Sequence, residues 1–125
     1  MTDRTKPEVE FPEGDAPTEL ISTDEIIGDG EEAGRGDVVD VHYVGVSHST
    51  GEQFDASWDR GDPLEFRLGV GMVIQGWDEG MAGMKVGGRR RLTIPAHKAY
   101  GERGAGGVIK PGATLVFVVD LVGVR

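Results

Sequence analysis

Gly71-Met-Val-Ile-Gln-Gly-Trp-Asp-Glu-Gly80 is the one stretch of this chain that suits a helix, and the fold is decided by what surrounds it. Ile74, Trp77 and Met81 recur at i, i+3 and i+7, with Gln75, Asp78 and Glu79 between them, so the spacing predicts a short helix over 72–80 with one apolar stripe. Gly76 and Gly80 each lower helix propensity by about 1 kcal/mol relative to alanine. Such a helix must be held by packing of its apolar face, with Trp77 as the anchor. On either side the period changes to two. Leu64, Phe66 and Leu68 alternate with Glu65 and Arg67, Val39, Val41 and Tyr43 oppose Asp40 and His42, and Arg90, Leu92 and Ile94 run up to Pro95. Leu115, Phe117, Val119 and Leu121 form one side of a last strand, and residues 19–27 before Gly28 can form a first one. Strands without long crossovers pair antiparallel. The fold class is therefore α+β, an antiparallel sheet curled around one short helix.

The 125 residues, 38% of them hydrophobic, are enough for one compact domain, and the absence of cysteine excludes both a disulfide framework and a thiolate nucleophile. The net charge of -9 is unevenly placed: residues 1–37 hold 12 of the 22 acidic and 3 of the 13 basic residues, which leaves the remainder neutral. Residues 1–17, with Pro7, Pro12 and Pro17, read as an acidic arm with little folded core, and 18–125 as the folded domain. Without a basic field no nucleic-acid partner is expected. Arg89, Arg90 and Arg91 are read as a solvated strand edge rather than a polyanion site. No apolar run reaches the length of a signal peptide or of the ~18 residues of a membrane span, so the expectation is a cytoplasmic protein without a membrane partner. Monomer is the default, since no long apolar edge or heptad is evident.

Familiar catalytic motifs fail on inspection. Gly71 to Gly76 has the glycine spacing of a phosphate loop, but Trp77 follows where lysine is needed. His42, His48 and His97 lie in unrelated contexts, so no metal and no cofactor is expected. Ser57 lacks a nucleophile elbow. Arg35-Gly36-Asp37 and Arg60-Gly61-Asp62 are explained by turn chemistry. What remains is a set with few polar companions: Tyr43, Phe54, Asp55, Phe66, Val73, Ile74, Trp77, Tyr100, Ile109 and Phe117. By pattern these residues can be plain core or the walls of an apolar pocket. The glycines around Tyr100, at 101, 104, 106 and 107, place its ring in a loop at the rim of such a pocket, with its hydroxyl available.

At these positions the chain resembles the FKBP family, the immunophilins that bind tacrolimus and rapamycin, and especially its single-domain bacterial members. The resemblance runs from about Leu20 to Val124. It is carried by Val-His-Tyr-Val-Gly (41–45), Phe-Asp-Ala-Ser (54–57), the helix segment 71–80, Met-Lys-Val-Gly-Gly-Arg-Arg (84–90), Ala-Tyr-Gly (99–101) and Ala-Thr-Leu-Val-Phe (113–117), in family order. It implies a half-barrel of five or six antiparallel strands wrapped on the helix, and peptidyl-prolyl cis/trans isomerase activity during protein folding, inhibited by macrolides. It further implies Trp77 as pocket floor, Tyr43, Phe54, Phe66, Val73, Ile74, Ile109 and Phe117 as walls, and Tyr100 and Asp55 as polar groups. The Ile74 N–H would bind a substrate carbonyl, and Arg60 with Tyr43 would orient Asp55. Leu64 stands where many members carry phenylalanine, and Ala105-Gly106 replaces a larger pair. The loop from Gly101 to Gly107 is too short for the inserted chaperone domain of some relatives. A non-catalytic module gripping prolyl segments or macrolides, and a purely structural β-domain, are the alternatives.

Overall fold

The computed structural model describes residues 5–9, 14–105 and 108–125; Pro12 of the arm and Gly106 and Gly107 of the loop after Tyr100 lie outside the described residues. Six strands form one antiparallel sheet: β1 (Ile21–Ile26), β2 (Val38–Ser47), β3 (Gln53–Ala56), β4 (Leu64–Arg67), β5 (Arg89–Ile94) and β6 (Leu115–Val124). The order is β1-β5-β6-β2-β3, and β4 also pairs with β2. Strands β3 and β4 occupy the same edge of β2 at its two ends, β3 against Val44–Val46 and β4 against Val38–Val41. Between them the chain leaves the sheet in one helical turn, α1 (Ser57–Arg60).

The two long strands β2 and β6 run side by side at the centre, as their dense β-branched content favours. One face buries Val39, Val41, Tyr43, Leu115, Phe117, Val119 and Leu121 under the main helix, α2 (Gln75–Gly80). The other face buries Val44, Val46, Ala56 and Val116, with Val9 of the arm and Trp58 packed on them. Central strands covered on both faces explain why β6 is buried continuously from Leu115 to Leu121.

Helix α2 is shorter than its pattern predicts. Gly71 takes φ +80° and Ile74 is extended at φ -58°, ψ 148°, so Met72–Ile74 form a loop entering the helix instead of its first turn. The two glycines that weaken the helix permit its docking. A Cβ on Gly76 would stand 2.4 Å from Ile94 Cγ2 and within 3 Å of two further Ile94 atoms, so alanine there would push the helix off β5, whereas one on Gly80, 2.8 Å from Leu92 Cδ2, would have to displace that methyl. Two further turns escape a reading that allowed one helix: α1, whose Ser57 hydroxyl accepts the Tyr43 N–H at 2.7 Å, and a 3-10 turn at Ala96–Lys98.

The arginine run is not a solvated edge. Strand β5 lies between β1 and β6, and its first two arginines are paired: Arg89 with the buried Asp120 at 2.9 Å, and Arg90 with Asp24 at 2.7 Å. Arg90 also donates to the Gly80 and Ala82 carbonyls at 2.8 and 3.1 Å, closing the C-terminal end of α2. In the arm, residues 6–9 lie along the outer face, where Lys6 meets Asp59 at 2.9 Å. Among the described residues no helix is long and apolar enough to cross a membrane.

Candidate active site

Helix α2 and the sheet enclose an open hollow of about 180 Å³. Trp77, only 4% exposed, forms its floor. The rings of Tyr43 and Phe117 stand nearly perpendicular to the indole, at 75° and 82° with centroids 4.9 and 5.2 Å away, and act as walls. Phe54 stands edge-on to Phe117 at 5.5 Å. Gly45 opposite makes this possible, because a Cβ there would lie 2.6 Å from the Phe54 ring and 2.7 Å from Phe117. The remaining wall comes from Leu64 on β4 and from Met72, Val73 and Ile74 in the loop before α2.

One polar corner interrupts these walls. The Tyr43 hydroxyl donates to Asp55 Oδ2 at 2.5 Å, Arg60 Nη1 donates to Asp55 Oδ1 at 2.6 Å, and Arg60 Nη2 donates to the Tyr43 oxygen at 2.8 Å. The guanidinium carbon also sits 5.7 Å from the centre of the Tyr43 ring. This closed triangle exists because β3 supplies Asp55, α1 swings Arg60 back over it, and β2 presents Tyr43 beneath both. Burial pushes the Asp55 carboxyl up, but the hydrogen bonds from Tyr43 and Arg60 outweigh it and hold the pKa below the ordinary value. Burial, reinforced by the Asp55 charge, pushes both Tyr43 and Tyr100 above the usual tyrosine range. Both phenols therefore remain protonated donors at neutral pH. Tyr100 is 40% exposed and lines the hollow from the loop after the 3-10 turn.

Of the residues expected in the site, Tyr43, Phe54, Asp55, Val73, Ile74, Trp77, Tyr100 and Phe117 line the hollow together. Phe66 and Ile109, expected as walls, do not. Phe66 is buried behind the floor, 5.6 Å from the indole, and Ile109 packs into the main core. Both wall roles were implied by the family resemblance, and neither residue is among those that line the hollow. Arg60 acts from outside, through Asp55 and Tyr43. Met72 was missed although it is 63% exposed on the rim; the signal was an apolar residue placed directly after the left-handed Gly71. Leu64 was noted only as a departure and is a wall.

A sequence model described as FKBP-type peptidyl-prolyl cis-trans isomerase matches residues 29–122 of this chain. The chain belongs to the FKBP family. FKBP relatives cover nearly all of it: the FK506-binding protein of Streptomyces anulatus is 64% identical over 120 residues, spanning 95% of this chain and 97% of that protein. A probable FK506-binding protein of Corynebacterium glutamicum is 54% identical over 117 residues, covering 94% of this chain and 97% of its own length. The peptidyl-prolyl cis-trans isomerase FPR2 of Saccharomyces cerevisiae is 58% identical over 90 residues, 72% of this chain and 67% of its own length. Among solved structures, the crystal structure of AtFKBP13 superposes with a TM-score of 0.80 at 41% identity, covering 88% of this chain and 96% of that one. As an FKBP with this six-stranded sheet and short helix, the chain is a peptidyl-prolyl isomerase.

Proposed function

We propose that this FKBP accelerates rotation of X–Pro bonds in other polypeptides by binding the twisted amide in the hollow over Trp77, without forming a covalent bond. The observation that carries the reading is the hollow itself: open, floored by an indole, walled by perpendicular rings, and bordered by a single oriented carboxylate.

Rotation about the peptide bond meets a barrier of ~18–20 kcal/mol from its partial double-bond character. Bringing an uncatalysed time of tens of seconds to ordinary turnover numbers takes only about 3–7 kcal/mol, which binding and one or two hydrogen bonds can supply. Twisting localises the nitrogen lone pair and makes the amide less dipolar, so apolar walls disfavour the planar ground state more than the twisted one. In this reading Trp77, Tyr43 and Phe117 enclose the prolyl ring. The Tyr100 hydroxyl and the Ile74 N–H hold neighbouring carbonyls in the twisted geometry; the Ile74 N–H precedes the first turn of α2, where backbone donors have no partner within the helix. Asp55, locked by Arg60 and Tyr43, adds a fixed negative charge beside the rotating group.

The same hollow would accept a macrolide in place of the prolyl segment. A protease-coupled isomerisation assay on X–Pro peptides is expected to show acceleration that tacrolimus or rapamycin abolishes. An unaccelerated rate with intact macrolide affinity would replace the catalyst by a binding module.

A further inference from the structure

Immediately beyond Phe54 lies a second cavity of about 340 Å³, lined by Ser47, Ser49, Thr50, Glu52, Gln53, Phe54, Val108 and Lys110. Among the described residues the two linings share Phe54 alone. The chemistry changes across that ring. On one side are an indole and perpendicular aromatics; on the other are three hydroxyls, a carboxylate and an ammonium group. Parts of this lining are already engaged: Thr50 Oγ1 accepts the Glu52 N–H at 3.1 Å, and Gln53 donates to Asp59 at 2.8 Å. The hairpin that carries it is fixed by Ser47 N–H to Glu52 O at 2.9 Å and Gly51 N–H to Ser47 O at 2.8 Å. The Glu52 carboxylate and the Lys110 ammonium have no ion-pair partner among the described residues, whereas Asp55 and Asp59 on the neighbouring strand and turn each hold one.

We propose that this groove is a subsite for the residues flanking the proline of a substrate, and that it favours segments presenting a basic side chain to Glu52 and an acidic one to Lys110. The proposal rests on the prolyl hollow being the site of isomerisation. An extended chain advances about 3.5 Å per residue, so a polypeptide leaving the hollow over Phe54 enters the groove within one to three residues of the proline. Hydroxyls on the hairpin supply partners for its backbone and polar side chains, and the Glu52 and Lys110 charges supply discrimination. Both charges are exposed, so their effect is confined to a few-fold and weakens as salt rises.

The test walks one lysine, and separately one glutamate, through the three positions before and the three after proline in an otherwise uncharged peptide, measuring kcat/KM for the wild type, Glu52→Lys and Lys110→Glu. The expected result is one lysine position favoured about two- to fivefold over glutamate, reversed by Glu52→Lys, and one glutamate position reversed by Lys110→Glu, both fading in 0.5 M salt. If turnover is normal yet indifferent to charge at every position in all three proteins, the groove does not touch substrate, while the hollow stands as the reaction site. If no peptide is turned over, the isomerase reading fails first.

Discussion

The two faces of β2 carry two tryptophans in opposite circumstances. On the concave side Tyr43 and Phe117 stand on edge around Trp77 and leave a face of the indole to the hollow. On the convex side His42 lies flat on Trp58, 4.2 Å apart and inclined by 17°, so one face of that indole is already taken. Both indole N–H groups are buried with no hydrogen-bond partner among the described residues. Edge-on packing keeps an aromatic floor accessible to a ligand, whereas stacking consumes it.

The largest test of this contrast is truncation of each floor. Trp77→Ala is expected to cost about 3–5 kcal/mol in urea unfolding and to abolish isomerisation. Trp58→Phe, which retains an aromatic ring under His42, should keep kcat/KM within about twofold of the wild type. Equal loss of activity in both would break the distinction between the faces.

Next in size is the loop that forms one wall of the concave side. Asp78 accepts the N–H groups of Gly69 and Gly71 at 2.8 and 2.9 Å and so positions Met72–Ile74. Asn in its place presents one donor to a donor. Asp78→Asn is expected to lower kcat/KM about tenfold, to accelerate amide exchange at Gly69 and Gly71, and to cost about 1–3 kcal/mol of stability. Asp40→Asn, which loosens the pairing with Arg125 at the far end of β2, tests whether mere destabilisation does the same; its turnover should not change.

Smaller still is Tyr100→Phe, which keeps the ring and removes one hydrogen bond; a three- to tenfold drop in kcat/KM with unchanged thermal stability is expected. The smallest effect concerns pH. Asp55 has a depressed folded-state pKa, so its contribution to stability is fully present above the unfolded value near 3.8 and is lost as pH falls through the lower folded value. Urea midpoints measured from pH 5 downward should therefore fall more steeply below about pH 4 in the wild type than in Asp55→Asn. Parallel curves would show that the triangle with Tyr43 and Arg60 contributes nothing to stability.

Much of the concave face was readable in the chain. Period-two alternation marked β2, β4, β5 and β6, and the spacing of Ile74, Trp77 and Met81 marked the helix. Strand β3 was not readable, because Gln53–Ala56 is four residues long with no completed alternation, and α1 is a single turn held by tertiary hydrogen bonds. The arginine run was misread for a related reason. Period shows which way side chains point, but whether β5 is an edge depends on β1 and β6 arriving from distant parts of the chain. Phe66 and Phe117 share the same kind of pattern, yet one lies behind the indole and the other walls the hollow.

What local chemistry settles here is the class of fold and the family, because hydrophobic period and motif order are properties of neighbouring residues along the chain. Whether an aromatic ring becomes floor, wall or filler was settled only when the strands assembled. That outcome depends on the angles at which rings from β2, β6 and α2 meet, and on the space left by Gly45 and Gly76, which no one-dimensional pattern contains.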